Sequence, residues 1–264
     1  MERTAAAGAA QGQFAVTDAE RQVADLLPIE ADPQLARAAL GAAPFWFHTF
    51  ALNRAERIYT PGAARDHRYR VSALPADFRG RSVLDVGTFD GFYAFLAERR
   101  GADRVVAVDN EQYRLWVAAR WGIELGGGEG FGAVHGLLGS SVEYRRLDAF
   151  ELDRLEERFD FVYCFGILHR VENPLGLLRV LRERTARGGT VLLETYGIRP
   201  EDRDGAAIRV SEPGEIYARD DFVYWGFGEA GLGRLARIAG FERAEALAEV
   251  EVDGHPRIVC RLSA

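Results

Sequence analysis

The sequence predicts an α/β fold built on a mostly parallel, seven-stranded sheet, with helices on both faces and an antiparallel hairpin at the C-terminal end. Three observations carry that prediction. Four short apolar runs, at 83–86, 105–108, 161–165 and 191–193, recur along the chain, each followed by a helical stretch. They are too short for helices and too continuous for strands wetted on one face, which is how strands covered on both sides read. The first run passes through a glycine turn directly into a helix, and the chain end folds back about Asp253-Gly254, a hairpin signal.

Taken in order, residues 1–13 are rich in Ala and Gly and read as a frayed tail. Thr17-Asp18-Ala19-Glu20 has capping-box spacing, followed by Val23, Leu26 and Leu27. Asp32-Pro33 caps and starts a second helix running to about Leu40. Residues 1–45 are therefore expected to form a tail and helical cap. Residues 46–79 follow as an aromatic and Arg-rich segment on the substrate side, with Trp46-Phe47-His48-Thr49 at one end and Thr60-Pro61-Gly62 further on. The core spans 80–264. A weaker strand at 142–147 fits between the second and third apolar runs, and the hairpin pairs 244–252 with 257–262. The glycine-rich 126–132 reads as a turn between helices. The stretch of about 196–229 is long, aromatic and rich in Pro, Gly and charge, and is expected to be a lid or substrate-recognition insert.

The chain has 264 residues, 48% of them hydrophobic, enough for a substantial core. Its net charge is −7, the wrong sign for a protein that grips nucleic-acid backbone. Every basic side chain besides histidine is Arg, so Lys Schiff-base chemistry is excluded. Cys164 and Cys260 sit in apolar runs without zinc or disulfide spacing. No metal is expected. No membrane span or signal segment is evident either, and a cytoplasmic location follows.

The most informative stretch is Val83-Leu84-Asp85-Val86-Gly87-Thr88-Phe89-Asp90-Gly91-Phe92. Asp90 is the expected N-cap of the helix, with Arg99 and Arg100 in its last turn and Gly101 just beyond. Such a turn brings backbone N–H groups to the carboxyl edge of the sheet, where open α/β folds bind ligands. A dinucleotide fingerprint would need Gly at 87, 89 and 92, and Phe occupies the last two. A side chain at 89 hinders close approach to a pyrophosphate. S-adenosyl-L-methionine has none, and its cationic sulfonium and amino group suit the acids here. Asp85 ends the first strand. Asp109, followed by Asn110, ends the second and can accept from ribose hydroxyls. Asp148, followed by Ala149, ends the weaker strand and can accept from the adenine amino group.

On these residues the chain resembles the Rossmann-like class I methyltransferases, from about Trp46 to Gly240. Within them it looks closest to the group containing the tRNA wobble-uridine (5-oxyacetate) carboxymethyltransferases. The matching pieces are Val83-Leu84-Asp85-Val86-Gly87, Phe165-Gly166-Ile167-Leu168-His169 with Pro174, Leu192-Leu193-Glu194-Thr195, and Tyr217-Ala218 with Gly240-Phe241. The resemblance implies S-adenosylmethionine as cofactor, held at Asp85, Gly87, Gly91, Asp109 and Asp148, with Thr88, Phe89, Asn110, Ala149, Phe165 and Gly166 completing the site. This chain has Phe89 where the family's turn usually has its middle glycine. It has His169 where the carboxymethyl members have a Tyr beside the extra carboxylate of their modified cofactor. Their distal Arg for that group finds no counterpart in the sequence. Unmodified S-adenosylmethionine is therefore the expectation.

His169, after the third of the four runs, is the leading candidate for a base that deprotonates the acceptor, with packing or orientation as the alternative. His48 is the second candidate. His67, His135 and His255 read as solvated. Tyr196, Tyr217, Tyr224 and Trp225 are expected to wall an acceptor pocket. Residues 54 to 81 carry an excess of Arg, read as a solvated face. The function expected is methyl transfer to O or N of a small metabolite of secondary metabolism, by a protein free to form a homo-oligomer. An RNA-modifying enzyme and a non-methylating binding module are the alternatives.

Overall fold

The computed structural model describes residues 15–199, 206–217 and 219–264. The tail expected at 1–13, part of the expected lid and Ala218 lie outside the described residues. Helix α1 (Asp18–Ala24) begins in the predicted capping box: the Thr17 hydroxyl accepts from Glu20 N, and the Glu20 carboxylate accepts from Thr17 N at 2.6 Å. Helix α2 (Pro33–Ala42) is capped by Asp32, which accepts from Gln34 N at 2.8 Å. A small antiparallel pair follows, β1 (Ala51–Asn53) and β2 (Ile58–Tyr59), then the short α3 (Arg68–Ser72).

The core alternates β3 (Ser82–Val86), α4 (Phe92–Arg99), β4 (Arg104–Asp109), α5 (Tyr113–Trp121), α6 (Glu129–Leu138), β5 (Glu143–Arg146), β6 (Phe159–Phe165), α7 (Pro174–Arg184) and β7 (Thr185–Tyr196). It ends with β8 (Ile208–Val210), β9 (Trp225–Phe227), α8 (Glu229–Ile238), β10 (Arg243–Val252) and β11 (His255–Ser263). The main sheet has seven strands in the order β10-β11-β7-β6-β3-β4-β5. β3 to β7 run parallel, and β11 lies antiparallel between β7 and β10. Asp253 and Gly254 both have positive φ, +50° and +77°, as a two-residue hairpin turn matched to strand twist requires.

Strand alternation explains the two cores. Val83, Val105 and Tyr163 face the N-terminal helices and the aromatics Phe78, Phe92, Phe95 and Phe131. Their neighbours Leu84, Val106, Val162 and Cys164 face α7 and α8. The chain starts the sheet at β3, runs outward through β4 and β5, and returns to β6 on the other side of β3. Connections therefore diverge where β3 and β6 meet, and a crevice opens at their carboxyl ends.

One predicted local detail is overturned. Helix α4 has no side-chain cap; Gly91 stands at the N-cap with φ +86°. Asp90 instead turns back to the aromatic segment, accepting from Phe47 N at 2.9 Å and His48 N at 2.8 Å and pairing with His48 Nδ1. Two tertiary amides and an imidazole outbid the local helix end for its carboxylate.

Candidate active site

The turn after β3 is held in a left-handed bend. Gly87, Phe89 and Gly91 have φ of +78°, +54° and +86°. Phe89 thus takes a conformation normally left to glycine, which costs about 1–2 kcal/mol for an L residue. Stacking offsets that cost: its ring lies 3.8 Å from Tyr113 at 25° and 4.9 Å from Phe47 at 19°. The amides of the turn are occupied from within. Gly87 N and Thr88 N donate to Val108 O, Phe89 N to the Asp109 carboxylate at 2.9 Å, and Gly91 N to Thr88 O. None of these four is left for a phosphate.

A cavity of about 580 Å³ opens beside this turn, within the range of small-ligand sites. At one end its wall includes Gly87, Phe89, Asp109, Asn110, Asp148 and Ala149. Asp109 accepts from Phe89 N and Glu111 N, one amide on each oxygen, so each oxygen keeps a free lone pair. Asp148 accepts from Asn110 Nδ2 at 2.7 Å and Phe150 N at 2.9 Å.

At the other end the wall changes character, with Arg70, Phe165, Gly166, His169, Arg170, Tyr224 and Arg257. His169 is buried; its Nδ1 accepts from Tyr196 N at 3.3 Å and faces the Thr195 hydroxyl at 3.2 Å. Burial, then Arg170, Arg257 and Arg70, hold its pKa well below the usual histidine value, so the ring is neutral. Glu194, at the end of β7, is fully buried between Arg70 (2.9 Å) and Arg257 (3.5 Å). Burial alone would raise its carboxyl, and the two guanidinium groups more than offset that and hold it lowered.

A profile of the family described as "Methyltransferase domain" matches residues 57–245, most of the chain. The chain belongs to the methyltransferase domain family. Fold and family together make it a Rossmann-like, class I methyltransferase domain. The tRNA U34 carboxymethyltransferase of Psychrobacter cryohalolentis is 29% identical over 174 residues, 65% of this chain and 46% of that protein. The one from Sulfurovum sp. is 22% identical over 232 residues, 88% of this chain and 70% of that protein. The chain spans about half the length of the first of these relatives. Among solved structures, the N-terminal domain of EvdMO1 with S-adenosylhomocysteine bound superposes with a TM-score of 0.57 at 24% identity, covering 88% of this chain and 96% of that one. A methyltransferase from Mesorhizobium loti superposes at 0.51 and 17% identity, covering 76% and 99%. Both show the same fold.

The residues of this methyltransferase suit a cationic nucleoside. Acidic groups crowd the turn: Asp85 is raised to about 7 by burial and by Asp109, and Asp109 to about 6, chiefly by burial. Of the predicted cofactor residues, Gly87, Phe89, Asp109, Asn110, Asp148, Ala149, Phe165 and Gly166 share the cavity wall. Asp85, Thr88 and Gly91 are not on it; Thr88 donates to Asp85 at 2.7 Å, behind the wall. His169 is on the wall and His48 is not; its ring packs against Phe92 and Tyr93. His67, expected to be solvated, is buried, with Nδ1 2.8 Å from Tyr93 Oη. Of the four expected aromatic wall residues only Tyr224 lines the cavity. Trp225 donates to Val171 O, Tyr196 meets His255, and Tyr217 accepts from Arg257 at 2.6 Å. Sequence reasoning missed Phe47, Trp116, Phe222, Arg70 and Arg257 as wall residues. The arginine-rich stretch read as a solvated face conceals Arg70, which is nine-tenths buried.

The raised carboxyls predict a pH dependence. A folded pKa near 7 for Asp85, against about 3.9 unfolded, means the folded state holds the proton more tightly. That contribution is complete below about pH 4 and is lost as pH rises through 7. Asp85→Asn never ionises and can still accept from Thr88. Thermal unfolding of the ligand-free protein at pH 5 and pH 8 is expected to show the variant gaining on the wild type at the higher pH. Parallel pH profiles for the two proteins would contradict this.

Proposed function

We propose that this enzyme methylates an oxygen or nitrogen of a small molecule, the acceptor binding at the His169 end of the cavity and the cofactor at the Asp109 end. One observation carries the reading: a single cavity whose acidic wall suits a cationic nucleoside and whose other end is aromatic and basic. Bound there, S-adenosylmethionine supplies an electrophilic methyl group. Asp109 accepts from the ribose hydroxyls on its spare lone pairs, and Asp148 with Asn110 receives the base. Phe47, Trp116, Phe222 and Tyr224 exclude water and align a planar acceptor.

His169 serves as a donor in this reading. With Nδ1 accepting from the Tyr196 amide, the neutral ring carries its hydrogen on Nε2. Turnover should then lack the acid limb, a loss of activity as pH falls through about 6.5, that a histidine base would give. The segment bearing Phe222 and Tyr224 forms part of the acceptor wall, in keeping with a recognition insert. Net charge of −7 favours a metabolite over RNA. Cys164 and Cys260 are buried and unpaired, as a reducing cytoplasm would keep them, and among the described residues no helix is long and apolar enough to cross a membrane.

Asp109→Ala is expected to weaken S-adenosylhomocysteine by about 10- to 100-fold, the loss of a charge-assisted hydrogen bond, measured by calorimetry. Transfer of label from S-adenosylmethionine to a panel of small acceptors and to tRNA tests the substrate half. Methylation of tRNA alone, with binding that falls steeply in salt, would overturn it.

A further inference from the structure

At the buried acceptor end of the cavity two guanidinium groups share one carboxylate, while Glu172, the other acid of this wall, is exposed. Arg70 and Arg257 both pair with the one carboxylate of Glu194. Arg170, also on the wall, has its own partner, Asp220, at 3.0 Å. Among the buried donors without a hydrogen-bond partner in the described residues, two belong to the Arg257 and His169 side chains of this wall. Arg257 Nη1 makes no hydrogen bond, standing 3.5 Å from Glu194 only as an ion pair. His169 Nε2, on the ring edge opposite the one held by β7, has no partner at all. A buried guanidinium that shares its carboxylate with a second arginine and an unmade buried hydrogen bond each cost stability, and an anion reaching both groups would relieve them.

Deepening the functional reading above, and resting on it, we propose that the acceptor is an acid: a planar molecule anchored by a carboxylate that Arg257 and His169 Nε2–H receive. The place lies at the end of the cavity read above as the acceptor's. Arg257 lies near the start of β11 opposite Tyr196, and β7 and β6 stand between β11 and β3. Three strand spacings put it about 14 Å across the sheet from the glycine turn. Aromatic rings flank the anion site: Arg170 lies over Trp116 at 5.4 Å, and Phe222 and Tyr224 complete the wall. A carboxylate held by a guanidinium and an imidazole N–H has its lone pairs engaged and is a poor nucleophile, so it anchors the acceptor and the methyl group goes to another atom.

The test uses the full chain saturated with S-adenosylhomocysteine and a panel of salicylate, indole-3-acetate and quinaldate, each against its own carboxamide, by calorimetry. At least one acid should bind about tenfold or more tightly than its amide, the worth of a charge-assisted contact. Arg257→Gln should erase that preference and leave S-adenosylhomocysteine affinity essentially unchanged. Should that variant fail to fold, Arg257→Lys, which retains the countercharge to Glu194 but not the forked geometry, should shrink the preference by about threefold or more. Acids and amides binding alike would overturn the proposal. So would an Arg257 variant that chiefly weakens S-adenosylhomocysteine, or a donor carrying a carboxylate on its transferred carbon that binds more tightly than S-adenosylmethionine and loses that gain in Arg257→Gln; either gives the arginine to the cofactor. Failure of S-adenosylhomocysteine to bind the wild type at all is a separate result, and strikes the functional reading first.

Discussion

Glu194→Gln is expected to destabilise the protein by about 3–5 kcal/mol, the usual consequence of removing one partner from a buried ion pair. Gln preserves the volume and can still accept from Tyr69, which donates to Glu194 at 3.0 Å. The change is therefore almost purely one of charge. It leaves Arg70, nine-tenths buried, and Arg257, nearly as buried, without their shared counterion at the inner end of the cavity. Neither can escape by losing its proton, since the guanidinium stays charged at any ordinary pH. Adding Arg70→Gln to the same chain removes one of the two stranded charges and should recover part of the loss. Urea unfolding of the three proteins measures both effects, and a single-variant loss below about 1 kcal/mol would mean the pocket is wetter than its burial implies.

That cluster also marks where sequence reasoning stops. Strands covered on both faces announce themselves as apolar runs, so β3, β4, β6 and β7 were legible, as were the capping box at Thr17 and the Asp253-Gly254 turn. Each is a local signal, read within a few residues. The failed dinucleotide fingerprint was legible too, and the structure gives its physical sequel, since the amides of Gly87, Thr88, Phe89 and Gly91 are spent on Val108, Asp109 and Thr88. Arg70 was not legible. Amid six other arginines between 54 and 81 it looks like solvated surface, and only Glu194, far along the chain, explains its burial. Asp90 failed for the same reason: helix start and distant amides compete for one carboxylate, and only the fold shows which wins. Tyr196, Tyr217 and Trp225 were placed in the right segments, but which way a loop side chain turns is decided by the neighbours it meets. Tyr196 met His255 and Tyr217 met Arg257 on β11, while Trp225 turned to Val171 O.

Gly87→Ala is expected to cost about 2–5 kcal/mol and to lower S-adenosylhomocysteine affinity beyond about 100-fold. Two effects add. At φ +78° an alanine pays the left-handed strain of about 1–2 kcal/mol. Its Cβ would also lie 2.7 Å from Ile167 Cγ1, with Cδ1 closer still, and overpacking of this kind costs about 1–3 kcal/mol. Phe89 tolerates the same region of backbone space because its ring is stacked on both Tyr113 and Phe47. A methyl group at 87 has no such return. Gly87 and Ile167 are both on the cavity wall, so relief of the clash moves the surface that meets the ligand. Gly91→Ala supplies the contrast, being equally strained at φ +86° and 2.5 Å from Phe95 Cε2, yet off the wall. It should lose comparable stability while keeping most of its affinity. Adding Ile167→Ala to Gly87→Ala clears the overlap but not the strain, and so should restore only part of the binding. Full restoration by that second change would show that the turn's left-handed bend is dispensable to the ligand, and would sink the assignment of Gly87 and its bend to the cofactor end of the cavity.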